Sequence, residues 1–253
     1  MENREFYIDH DGIALHAKLD FPKDAEKCPL VVVAHGFTVH MEERHITAVA
    51  SALNEIGFAS LRVELYGHGK SGGSFRRHTI FKWVSELLTV IDYAAKLDFV
   101  TNLYLTGHSQ GGLATILAGG MNPDRLKAII PLSPAVIIKE GALKGDMLGA
   151  AFDPLHIPDT VEFPDGKLLD ASYFRTAQLL PVEEAVKRYR GPVLIVHGDE
   201  DEAVPYRCAV ELEKEYENAK LVTIPGDDHC YDYHLDQVLE AVTSFVKDCE
   251  SGR

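Results

Sequence analysis

The sequence predicts an α/β fold built on a mostly parallel central sheet, and three observations carry that expectation. Short apolar runs of β-type residues alternate with helical patterns along most of the chain, the order that strand–helix–strand crossovers leave in a sequence. The length of 253 residues suits one such domain around one core. A serine flanked by glycines sits between one apolar run and a helix-like stretch, at the strand end where open α/β sheets gather their ligand sites.

Taken in order, residues 7–9 and 13–19 flank Asp11-Gly12, a dipeptide that turns readily, so an N-terminal antiparallel hairpin is expected at the sheet edge. Runs at 30–34, 59–63, 103–106, 128–132, 193–196 and 221–224 read as six buried strands. Between the second and third, Ile80, Trp83, Val84, Leu87, Ile91, Ala94 and Ala95 recur at spacings of three and four, which puts them on one helix face. Residues 113–118 read as a helix directly behind the glycine-flanked serine, and 236–247 as the last helix. Helices are therefore expected on both faces of the sheet. The rhythm breaks over 133–180, where Phe152-Asp153-Pro154 and Phe163-Pro164-Asp165-Gly166 punctuate short mixed segments. That stretch is expected to be a small inserted lid over the C-terminal edge of the sheet, within a single domain spanning 1–253. The sequence contains neither internal repeats nor a Gly/Ser/Pro-rich linker to suggest a second one.

Composition narrows the function classes. A hydrophobic share of 46% with 25% charged residues, and a mean hydropathy of -0.07, describes an ordinary globular chain. The net charge of -14 repels phosphate backbones, so nucleic acid is not an expected partner. No apolar run approaches the roughly 20 residues that span a bilayer, so membrane insertion is not expected. Met1-Glu2-Asn3-Arg4-Glu5 lacks the basic start and apolar core of a secretory leader, and the expected location is the cytoplasm. Cys28, Cys208, Cys230 and Cys249 are scattered and read as free thiols.

Gly107-His108-Ser109-Gln110-Gly111 lies between strand 103–106 and helix 113–118, the strand–turn–helix context of a nucleophile elbow. A sharp turn there projects the serine from the sheet, and glycines two positions to either side leave room for neighbouring backbone. The bare alternative is a glycine-rich turn, which the flanking strand and helix make the weaker reading. A serine hydroxyl needs a base, and the base an orienting acid. With this elbow the acid follows a late strand and the histidine the last one. His229 is the histidine in the loop after 221–224 and is read as the general base. Asp199, Glu200, Asp201 and Glu202 follow strand 193–196 and compete for the acid, and spacing does not separate them. Of the other histidines, His16, His40, His45, His78, His156 and His234 read as surface or packing residues, and His35 and His108 as buried supports.

Acyl transfer also needs two N–H donors for the developing oxyanion. The N–H of Gln110, next after the nucleophile, is one; the N–H of Phe37 in His35-Gly36-Phe37-Thr38, after strand 30–34, is the other, against the plainer reading of that tetrapeptide as a turn. His40 and His45 with Glu42 and Glu43 make no recognised ligand set, so no metal is expected. Gly67-His68-Gly69-Lys70-Ser71 lacks the upstream glycine of a phosphate loop, and no cofactor is expected.

At these residues the chain resembles the bacterial feruloyl and cinnamoyl esterases of the α/β-hydrolase superfamily, over nearly its whole length. The marks are His35-Gly36-Phe37-Thr38, Tyr66-Gly67-His68-Gly69 with Ser71-Gly72, Gly107 to Gly112, His197-Gly198-Asp199 with Asp201, and Asp228-His229-Cys230. In the insertion, residues 152–159 and 173–178 resemble that family's small lid. The resemblance implies the α/β-hydrolase fold, a Ser109–Asp201–His229 triad, oxyanion donors at Phe37 and Gln110, and hydroxycinnamate esters as substrates. The expected partner is a small-molecule ester, with a homodimer as the assembly considered. Residues 139–148 depart from the family pattern: positions where it carries an acid and an amide are apolar or glycine here, with Glu140 and Asp146 as nearby substitutes. Phe152, Phe163, Tyr173, Phe174 and Tyr231 are candidates for an apolar acyl pocket, or for general packing. The competing readings are a broad carboxylesterase or monoacylglycerol lipase and, from another class, a non-catalytic small-molecule receptor on the same fold.

Overall fold

The structure is a computed structural model that describes residues 2–22 and 25–252. The hairpin of β1 (Glu2–His10) and β2 (Ile13–Phe21) closes through Asp11 and Gly12, at φ 50° and 82°, the positive-φ pair of a two-residue turn. The chain then runs through β3 (Cys28–Ala34), α1 (Arg44–Glu55), β4 (Ala59–Val63), α2 (Ile80–Ala94), β5 (Val100–His108), α3 (Gln110–Met121) and β6 (Ala128–Leu132). Next come α4 (Ile137–Lys144), the short strands β7 (Asp146–Met147), β8 (Ala150–Ala151), β9 (Thr160–Glu162) and β10 (Leu168–Asp170), and α5 (Ala171–Ala177). It closes with α6 (Val182–Arg188), β11 (Val193–Gly198), α7 (Arg207–Glu215), β12 (Ala219–Ile224) and α8 (Leu235–Ser251).

Eight strands form one sheet in the order β1-β2-β4-β3-β5-β6-β11-β12, with β1 and β2 antiparallel and every pairing from β4 to β12 parallel. The central strands are unbroken apolar runs because both faces are covered. Along β3, Leu30, Val32 and Ala34 join the core under α2 and α3, while Val31 and Val33 join the core under α1 and α8. Trp83 and Leu87 of α2 fill the first core; Val49, Leu53, Val238 and Val242 fill the second. Helix α3 is buried at every position from Gln110 to Gly120, so it is apolar all round instead of amphipathic. β12 departs from expectation: as the far edge strand it is only partly covered, and Ile224 alone among its residues is fully buried. Among the described residues no helix is long and apolar enough to cross a membrane.

Residues 133–180 fold as α4, two small antiparallel hairpins (β7–β8 and β9–β10) and α5. Gln178 ties this segment together, its Nε2 donating to Ala142 O at 3.1 Å and Pro154 O at 2.9 Å. Phe174 packs on Phe152 and Phe163 at ring separations of 4.7 and 6.1 Å, giving the segment its own aromatic centre, continuous with the core under α2 and α3.

Candidate active site

Ser109 stands between the end of β5 and the start of α3 at φ 57°, ψ -120°. A non-glycine residue held there costs about 1–3 kcal/mol, so the surroundings must impose it. They do so by backbone hydrogen bonds: Ser109 N–H donates to Leu132 O at 2.9 Å, and Ser109 O accepts from Leu113 N–H and Ala135 N–H, both at 3.0 Å. The flanking glycines are steric necessities. A Cβ on Gly107 would lie 2.4 Å from Gly111 O, and one on Gly111 would lie 2.2 Å from His35 O.

The loop after β12 brings His229 to the loop after β11. His229 Nδ1 is 2.7 Å from Asp201 Oδ2, a carboxylate that only accepts, so Nδ1 carries the proton and Nε2 is left as the basic nitrogen. Among the four competing acids the structure brings Asp201 to the histidine; Asp199 instead accepts from Gly226 N–H at 2.6 Å on the exposed side of the loop. Asp201 Oδ1 accepts from Ala203 N–H at 2.9 Å and Val204 N–H at 2.7 Å. Burial pushes the Asp201 carboxyl up, but the hydrogen bonds from His197 and His229 outweigh it, and the group is held well below the usual carboxylate range.

Several further residues fix this loop. Asp227 is fully buried, its carboxylate taking the N–H groups of Asp228, Tyr233 and His234 at 3.0, 3.1 and 3.0 Å. Tyr231, at φ 58°, donates its hydroxyl to Val196 O at 3.0 Å and accepts from Ser133 Oγ at 2.9 Å. His108 Nε2–H donates to His229 O at 2.7 Å, linking the serine elbow to the histidine loop. His197 lies buried beside Asp201. His108 and His197 stand in sequence motifs that assign them no contact here, and Asp227 carries no signal beyond being an acid after a late strand.

The loop after β3 leans on the elbow: a Cβ on Gly36 would meet His108 Nδ1 at 3.2 Å and Ser109 Cβ at 3.3 Å. His35 donates Nδ1–H to Gly36 O at 2.8 Å and accepts Leu65 N–H on Nε2 at 3.0 Å, while Thr38 turns the chain at φ 65°. Phe37, Ser109 and Gln110 thus line the same cavity. Gln110 opens α3, where the first N–H groups have no intrahelical acceptor. Burial pushes the imidazoles down to about 3 for His35 and His78, about 4 for His45 and His68, and well below 6.5 for His108, so these rings around the site are neutral.

Ser109, Gln110, Phe37 and His229 open into one cavity of about 550 Å³. Its far wall comes from the inserted segment, with Ile137, Ile138, Met147, Leu148 and Tyr173, and Tyr173 is anchored by its hydroxyl donating to Gln110 Oε1 at 2.6 Å. Asp146 and Glu202 are the carboxylates on the lining. Two alternatives that the sequence left open are decided by the structure. Glu140 faces another groove, paired with Lys144 and with Arg207 at 3.2 Å. Of the five aromatic candidates Tyr173 lines the cavity; Phe152 and Phe163 pack on Phe174, Phe163 also on Phe37, and Tyr231 is buried within the histidine loop. Gly67 to Ser71 wraps a carboxylate, with Lys70 N–H donating to Glu64 Oε2 at 2.5 Å, an arrangement that would repel phosphate.

Residues 25–161 match the family model described as serine aminopeptidase, S33, and residues 172–251 the one described as TAP-like protein. The chain is 57% identical to Est1E from Butyrivibrio proteoclasticus in a structure with ferulic acid bound, covering 97% of this chain and 99% of that one at a TM-score of 0.95. A second Est1E structure is 55% identical, covering 98% and 99% at a TM-score of 0.92. Monoacylglycerol lipase from Mycolicibacterium smegmatis is 26% identical over 88% of this chain and 89% of that protein. The sheet, the elbow and the matched models together define a hydrolase of the α/β-hydrolase superfamily. Within it the chain belongs to the serine aminopeptidase, S33 family and groups with the bacterial feruloyl and cinnamoyl esterases, as a serine carboxylic ester hydrolase.

Proposed function

We propose that this enzyme hydrolyses hydroxycinnamate esters through an acyl-enzyme, with Ser109 as nucleophile, His229 as general base and acid, and Asp201 as the orienting carboxylate. The observation that carries the reading is the 2.7 Å contact of His229 Nδ1 with Asp201 beside a serine at positive φ, all opening into one cavity. His229 Nε2 takes the proton from Ser109 Oγ as that oxygen attacks the ester carbonyl. The backbone N–H groups of Phe37 and Gln110 receive the negative charge that develops on the carbonyl oxygen, with the N-terminal end of α3 adding its dipole. The tetrahedral species collapses, His229 returns the proton to the departing alcohol oxygen, and the acyl group stays on Ser109. Water, deprotonated by His229, attacks the acyl carbon and releases the acid and the serine.

The acyl preference rests on the ferulic acid bound in Est1E, which is 57% identical to this chain, and on the mostly apolar cavity lined by Tyr173. Residues 133–180, which supply that wall, act as the lid. The reading is tested by comparing kcat/KM for methyl ferulate, methyl p-coumarate and p-nitrophenyl butyrate. Preference for the two hydroxycinnamates is expected. Activity on the butyrate alone would leave the serine chemistry standing and return the acyl group to that of a general carboxylesterase.

A further inference from the structure

We infer that His197 is a positioning residue that clamps Asp201 against His229, so that the catalytic unit is a relay of four side chains; this rests on the triad reading above. His197 and Asp201 are both fully buried at their side chains, and His197 Nε2 lies 3.1 Å from Asp201 Oδ2, the oxygen that meets His229 at 2.7 Å. The same nitrogen is 2.9 Å from Val204 O. Both neighbours are acceptors, so Nε2 carries a proton and shares it between them. His197 Nδ1 is buried without a partner among the described residues, and a proton there would be an unsatisfied donor, so the ring is the neutral Nε2–H tautomer.

The clamp has a geometric logic. Asp201 Oδ1 already holds Val204 N–H, so the His197 N–H on Val204 O closes the turn from Asp201 to Val204 at both ends. Rotation of the carboxylate about its Cβ–Cγ bond would break contacts to Ala203, Val204 and His197 at once. Sharing Oδ2 between two N–H donors also draws charge from the oxygen that faces His229, which moderates how strongly imidazolium is stabilised. Other titratable groups near His229 are His108 from β5, His45 from α1, its neighbours Asp228 and Cys230 in the loop, and Glu202 and Asp146 on the shared cavity lining, while Arg44 and Asp232 pair with each other at 2.6 Å beyond His45. Among the described residues, His197 is the side chain besides His229 that pairs with Asp201 Oδ2.

The test compares His197→Leu, His197→Gln and His197→Asn with Asp201→Asn on p-nitrophenyl butyrate, over a full pH profile. Gln can place an N–H near the Nε2 position and Asn falls short of it. For His197→Leu, kcat is expected to fall about ten- to hundredfold at nearly unchanged KM, the loss of one hydrogen bond to a charged group. The acid limb of kcat/KM is expected to move to higher pH, because Oδ2 then faces His229 alone and holds imidazolium more tightly. Gln should recover most of both and Asn little. If Leu prevents folding, as shown by circular dichroism, the order of Gln over Asn carries the result. Wild-type kcat and an unmoved acid limb in a folded Leu or Asn variant would overturn the inference, as would a change in KM alone. Undiminished activity of Asp201→Asn would instead overturn the triad reading itself.

Discussion

Ser109 is held in a backbone conformation that it would not choose, and the hydrogen bonds that hold it come from the end of β6, the loop just after it and helix α3. That expenditure of conformational energy makes sense if the hydroxyl is to stand clear of the sheet with its neighbours' N–H groups around it. Ser109→Ala removes the proposed nucleophile and leaves this frame intact. Turnover of any ester is therefore expected to fall about a million-fold, with unchanged thermal unfolding and loss of covalent labelling by a fluorophosphonate. A folded variant with near wild-type turnover would move the nucleophile elsewhere. At the same level, the choice among Asp199, Glu200, Asp201 and Glu202 is made by the path of the loop after β11. Asp201 turns inward because its own carboxylate accepts the Ala203 and Val204 N–H groups, while Asp199 turns outward to Gly226.

The elements meet at the elbow with no spare volume. α3 enters directly beneath the exit of β3, close enough that Gly111 has no room for a methyl group against His35 O. Gly111→Ala is expected to push α3 away from that loop, lowering stability by about 1–3 kcal/mol in urea unfolding. It should also lower kcat more than that loss implies, because Gln110 and Phe37 would no longer stand by Ser109 at their present spacing. Unchanged kcat in Gly111→Ala would argue against Phe37 and Gln110 as paired oxyanion donors. The inserted segment follows a different logic: its aromatic residues serve its own packing, and it presents mainly aliphatic side chains and Tyr173 to the cavity.

Across the whole molecule, five buried neutral histidines make acid the weak side of stability. In the fold His35 and His78 are pushed down to about 3 and His45 and His68 to about 4, and burial holds His108 well below its ordinary 6.5, so below 6.5 the unfolded chain binds more protons than the fold. Stability is therefore full above pH 6.5 and drains away as pH falls toward 4, by up to about 1.4 kcal/mol per group for each pH unit. Glu86, buried in α2 and pushed up to about 7, works the opposite way, since the fold keeps a proton that the unfolded chain releases above about 4.5. One such group against five leaves the balance with the histidines. The melting temperature is expected to drop steeply from pH 6.5 to pH 4.5, and a flat profile over that interval would show that these rings are solvated.

Much of this was legible along the chain because it is local. The Asp11-Gly12 turn, the apolar runs that became the central strands, and the glycines around Ser109 each state a backbone or burial requirement within a few residues. The serine and the histidine could be picked by chain order, since strand–elbow–helix connectivity dictates which loops converge. What the sequence left open depends on contacts between segments far apart in the chain. The edge position of β12, the inward turn of Asp201, the burial of His197 and Asp227, and the choice of Tyr173 over Phe152, Phe163 and Phe174 as cavity wall all follow from which surfaces finally face each other. Periodicity reports that a residue is apolar or polar, and spacing reports which loop it occupies. Neither says which carboxylate meets a particular imidazole, because that is decided by side-chain directions and hydrogen bonds that exist only once the loops after β5, β11 and β12 are packed together.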